Sequence, residues 1–247
     1  MRLAIIYLVA ITGAEVVTNY FELVLVGIIC HVVILAALIV HSSLVAESPR
    51  GKLLLALSLA PLTRIMSLSM PLAQVSLIYW YLIIYPPLFL AAWVAMRRLN
   101  FRAREVGLNV NRLPLQLLVA LSGVIFGVVE YLILRPPEPL LSELTWGGVL
   151  LSIVAVGVVT GVVEEFIFRG VVQRASMEAL GKWGLPYVAF LFAILHLIHQ
   201  SAVDIVLVFA IAMFFGWVVN KTGSLLGVTL SHSITNIILY LVLPSIL

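Results

Sequence analysis

Nine apolar runs, at 3–17, 23–40, 53–68, 72–95, 115–134, 147–168, 185–199, 203–219 and 225–243, alternate with short polar connections. Runs of this length fit helices crossing a hydrocarbon core about 30 Å thick. The strands of a membrane barrel would be shorter and would alternate in polarity. The pattern therefore predicts an all-α, polytopic transmembrane helical bundle. The first run is short and carries Glu15, and the third carries Pro61 and Arg64. Either could lie at the interface or re-enter, which gives seven to nine spans. Pro86 and Pro87 are expected to kink the fourth run, because each ring removes a backbone donor.

Composition agrees with a membrane protein: 63% of the 247 residues are hydrophobic and 10% are charged, where a soluble domain has about a quarter charged. The single cysteine, Cys30, excludes an intramolecular disulfide or a Cys-rich metal site. Basic residues set the expected orientation. The connection Arg97, Arg98, Arg102, Arg104 is the strongest cytoplasmic signal, with Arg112 beyond it. Counting outward, Arg50, Lys52, Arg174, Lys182 and Lys221 fall on the same side. Connections holding Glu22, Glu138 with Glu143, and Asp204 fall on the other, and nine spans satisfy the alternation. Polar residues at depth concentrate in the last five runs. The chain reads as one integral domain, 1–247, with N-terminal packing spans (1–114) and working spans (115–247). The expected location is the plasma or inner membrane, with lipid as one partner and no nucleic acid.

The run 147–168 ends on two adjacent carboxylates, Glu164 and Glu165, with Arg169 four residues after the second. Ionisable residues within a span are costly and point to function. At helical spacing Glu164 and Glu165 face different ways, while Arg169 meets Glu165 and leaves Glu164 available. His196 lies on the next run, and His232 and Asn236 share one face of the last. On the orientation above, all four reach a cavity in the cytoplasmic half. His199 falls near the outer face, and His31 and His41 have no evident partner. A carboxylate, two imidazoles and an amide suit hydrolysis, with water deprotonated by glutamate or histidine and an oxyanion held by the remaining donors. Glu164, His196 and His232 could instead bind zinc with an open fourth position; none is predicted, because the charges balance without it. A proton-coupled transporter or a non-catalytic scaffold is the alternative, but the internal repeats of many transporters are missing. Gly123-xxx-Gly127, Gly157-xxx-Gly161 and Gly223-xxx-Gly227 are read as helix-packing patterns.

Glu-Glu-x-x-x-Arg at 164–169, Phe-x-x-x-His at 192–196 and His-x-x-x-Asn at 232–236 occur in that order on successive spans. This arrangement resembles the CPBP family (CAAX proteases and bacteriocin-processing enzymes) of intramembrane endopeptidases. The resemblance covers about 147–240. It implies a polar cavity open to the cytoplasm in which Glu164 and His196 activate water, His232 and Asn236 hold the oxyanion, and Glu165 with Arg169 supports the first glutamate. It also implies a membrane-associated peptide or protein substrate, prenylated if CAAX processing carries over.

Overall fold

The computed structural model describes residues 2–46, 48–70, 77–136 and 145–247, and every regular element among them is helical. The helices are α1 (Arg2–Asn19), α2 (Val24–Leu44), α3 (Pro49–Ser69), α4 (Ile78–Arg98), α5 (Leu113–Leu134), α6 (146–180), α7 (Gly184–Ile194), α8 (Ala202–Thr222) and α9 (Leu226–Ser245). Eight helical segments are long and apolar enough to cross a membrane, the sixth being Trp146–His199 with 54 residues. At 1.5 Å per residue that segment would measure about 80 Å, far beyond one crossing. It turns back instead at Gly181, whose φ of 60° lies where a side chain is disfavoured, so α6 and α7 are its two arms. The chain is an integral membrane protein. Exposed Leu, Ile and Val of α2 and α5, such as Leu25, Ile29, Val33, Leu118 and Ile125, form the surface that lipid covers.

The basic connections gather at one end. Lys52 Nζ lies 2.8 Å from Glu178, and Arg174 lies 3.6 Å from Glu178 and 3.5 Å from Glu105. This chain of partly exposed ions joins the start of α3, the end of α6 and the link between α4 and α5. Glu105 also accepts the Arg102 backbone N–H, which holds its carboxyl below the usual range. Leu225 N–H donates to Gly107 O at 2.9 Å, bringing the turn between α8 and α9 to the same end. At the opposite end Gln200 donates to Asn19 O at 2.7 Å, linking the α7–α8 turn to the α1–α2 turn. Glu138 and Glu143 lie outside the described residues.

Between lipid-embedded helices there is little hydrophobic drive, so close approach depends on small residues. A Cβ at Gly127 would stand 2.7 Å from Ile238 Cβ and 2.8 Å from Thr235 O, and one at Gly123 would strike Ser231 O. On the other flank a Cβ at Gly161 would stand 2.5 Å from Ser233 Oγ, and one at Gly157 would stand 2.8 Å from Ile237. Helix α9 is thus held between glycine faces of α5 and α6. Gly227 does the same against Gln116, whereas Gly223 takes a left-handed φ of 68° to end α8.

Two sequence expectations change here. Glu15 and Arg64 do not make their helices interfacial, because they pair in the interior: Arg64 Nε and Nη2 donate to Glu15 at 2.6 and 2.8 Å. His31 Nε2 lies 3.0 Å from the same carboxylate, and Asn19 donates to it at 3.0 Å. His31 therefore has a partner, as does His41, which hydrogen-bonds Tyr7. Pro61 interrupts α3 near Ser58, between Pro49–Leu57 and Leu59–Ser69, while α4 continues helically through Pro86 and Pro87.

Candidate active site

Helix α6 is not uniform. Thr160–Glu165 is α-helical, with π-helical turns before it at Ile153–Val159 and after it at Phe166–Val172. Wide turns of this kind recur at functional sites, because they re-aim the side chains that follow. Thr160 Oγ1 donates to the Val156 carbonyl within this segment. Asn236 Nδ2 reaches both groups, donating to Val156 O at 3.1 Å and to Thr160 Oγ1 at 2.9 Å. Because these two acceptors are themselves hydrogen-bonded to each other, one edge of the Asn236 amide is tied to α6.

The pair Glu165–Arg169 forms as its spacing predicts, with Arg169 Nη1 donating to Glu165 Oε1 at 2.9 Å. Both side chains are almost fully buried. The guanidinium carbon lies 4.1 Å from the centre of the Phe192 ring, a desolvated cation–π contact. Glu165 Oε1 also accepts from His232 Nδ1 at 2.8 Å. That bond fixes the imidazole so that Nε2 points the other way, 3.8 Å from Glu164 Oε2. The second oxygen of Glu164, Oε1, accepts from the Tyr85 hydroxyl at 2.5 Å. Just past the end of α7, His196 Nδ1 sits 2.9 Å from the Phe192 carbonyl, which only accepts, so Nδ1 carries the proton and Nε2 keeps its lone pair.

Glu164, His196, His232 and Asn236 line one cavity of about 540 Å³. Tyr85 belongs to the same wall and was missed in the sequence, where it stands in an aromatic-rich run. So was Glu130 on α5, a lone carboxylate within a span that the general cost of intramembrane charge singles out. His199 lines the cavity as well, with its ring 6.2 Å from that of His196, because α7 ends in a tight turn that carries it inward.

The exposed lining residues are Glu22, Val24, Ile198 and Gln200, which belong to the α1–α2 and α7–α8 turns. Both turns lie at the end away from Arg97–Arg104. The expected cavity at the basic end assumed that α6 stops near Phe168. It continues to Leu180 instead, so Glu164 lies ten residues, about 15 Å, below Arg174.

A zinc ion would need its ligand atoms about 2.0–2.2 Å from one point. Among the described residues no group of three His, Cys, Asp or Glu side chains is placed to hold a metal. As arranged, Glu164, His196 and His232 do not make such a set.

No curated protein matches this chain, and no solved structure does. Residues 146–238, from the start of α6 into α9, match the family model described as type II CAAX prenyl endopeptidase Rce1-like. That stretch holds all six motif positions and every polar contact between Glu164, Glu165, Arg169 and His232. Over that stretch the chain matches the CPBP family of intramembrane endopeptidases.

Proposed function

We propose that this protein hydrolyses a peptide bond of a membrane-associated substrate with water activated by Glu164, without a metal. The observation that carries this reading is His232 held between two carboxylates, 2.8 Å from Glu165 and 3.8 Å from Glu164. The Arg169–Glu165 pair acts as the orienting element of a relay whose outer end is Glu164. Tyr85 holds one oxygen of Glu164 and leaves the other to receive a proton. Water then attacks the scissile carbonyl, its proton passes to Glu164, and the charge that develops on the carbonyl oxygen is met by Nε2–H of a His232 imidazolium, the form in which Nδ1 also donates to Glu165. Glu164 then gives the proton it took from water to the leaving amine as the tetrahedral intermediate collapses. His196 Nε2, with its lone pair fixed by the Nδ1 bond, accepts a hydrogen bond from the second O–H of the attacking water, which stays on the oxygen. Asn236 is anchored to α6 through Thr160 and Val156, which holds its amide in the cavity one helical turn from His232 for the oxyanion.

The basic end of a membrane protein faces the cytoplasm. On that rule the cavity opens to the opposite, extracytoplasmic side. The substrate is then a membrane protein or peptide exposed outside, and a cytosolic prenylated protein would not reach Glu164. The test is cleavage of a membrane-peptide library by purified protein in liposomes. Glu164→Gln should lower turnover by at least about 1,000-fold while the protein stays folded. Undiminished cleavage by that variant would refute the mechanism.

A further inference from the structure

The cavity holds one ionisable group that the mechanism leaves unused. Glu130 lies one turn before the end of α5 and is 8% exposed. It lines the cavity without a hydrogen-bond or ion-pair partner among the described residues. A carboxylate in that position is expensive in a membrane unless a cation answers it. Among the described residues the cations that line the cavity are already engaged: Arg64 by Glu15, Arg169 by Glu165, and His232, whose charge also reaches Glu130, by Glu165 and Glu164. Glu22 at the mouth, Glu130 near the end of α5 and Glu164 deeper in thus form an acidic series, of which Glu164 alone has its partners, Tyr85 and His232. A chain entering from the mouth would pass them in that order.

We propose that Glu130 is the recognition site for a positively charged side chain of the substrate, a lysine or arginine near the scissile bond. This rests on the peptidase reading above and names its substrate class. An incoming ammonium or guanidinium would exchange its water for the carboxylate in a low-dielectric wall. A neutral residue there would leave the acid unanswered, which turns the cost of Glu130 into discrimination between substrates.

The probe is a pool of short N-acylated peptides with randomised sequence, offered in detergent to immobilised full-length protein. The protein carries Glu164→Gln, so retention is read without turnover. Retained peptides should be enriched in Lys and Arg at one position by about tenfold or more. Adding Glu130→Gln should abolish the enrichment, while Glu130→Asp, which keeps the charge, should preserve most of it. Absence of enrichment, or its persistence with Glu130→Gln, overturns the proposal. The retained peptides are then given to protein with Glu164 intact. Enrichment without cleavage would defeat the peptidase reading and leave the cation site standing.

Discussion

The hydroxyl of Tyr85 donates to Glu164 at 2.5 Å, joining a residue of the N-terminal half to the carboxylate placed at the centre of the chemistry. Removing this bond frees the oxygen that should stay occupied and lets the carboxylate rotate. Tyr85→Phe should lower kcat about tenfold to 100-fold with little change in thermal stability, since the ring is kept. Single-turnover cleavage beside a melting curve checks it. A fall in stability with unchanged kcat would make Tyr85 a packing residue.

The Glu15–Arg64 pair predicts a non-additive stability pattern. Breaking a buried pair from one side leaves an uncompensated charge, at about 3–5 kcal/mol. Glu15→Leu and Arg64→Leu should each be strongly destabilising, while the double substitution should recover a large part of the loss. Denaturation in detergent of all four proteins measures the coupling. Simple additivity would mean that the two charges act independently.

The metal-free reading predicts that protein dialysed against a strong chelator, and shown by elemental analysis to contain less than stoichiometric zinc, retains its activity. Loss on removal and recovery on adding zinc back would decide for the metalloprotease chemistry.

The proposed orientation predicts opposite labelling of the two ends. Tyr20 is exposed on the α1–α2 turn and Lys182 on the α6–α7 turn. On a Cys30→Ser background, Tyr20→Cys should react with a membrane-impermeant maleimide in intact cells, and Lys182→Cys should react only after lysis. The reverse pattern would place the mouth in the cytoplasm.

Much of this was legible in the sequence. The runs gave the helices, and the spacing of Glu165 and Arg169 gave their pair, because both are local properties of a helix. The order of the three motifs gave the family. What escaped depends on contacts far apart in the chain. Glu15 looked like a sign of a weak span because Arg64, its partner, is 49 residues away. Tyr85 looked like one aromatic among several because its role exists only opposite Glu164. The length of α6 was underestimated because apolarity fades at Phe168 while the helix does not. The amphipathic turns from Arg169 to Leu180 are helical for reasons of packing and ion pairing that a hydrophobicity pattern does not register.

Six reactive and orienting side chains, from Glu164 to Asn236, stand on helices 146–238, and α9 among them is seated on glycine faces. The facing wall, with Thr18, Asn19, Arg64 and Tyr81, comes from helices that precede that segment. Heredity can therefore act on the two sides at different rates. Substitutions in the first half can reshape what the cavity accepts without loosening the backbone spacings that hold His232 to Glu165. Chimeras that exchange residues 2–70 between relatives are accordingly a route to new substrate ranges on an unchanged chemical centre, provided that Tyr85 and Glu130 remain.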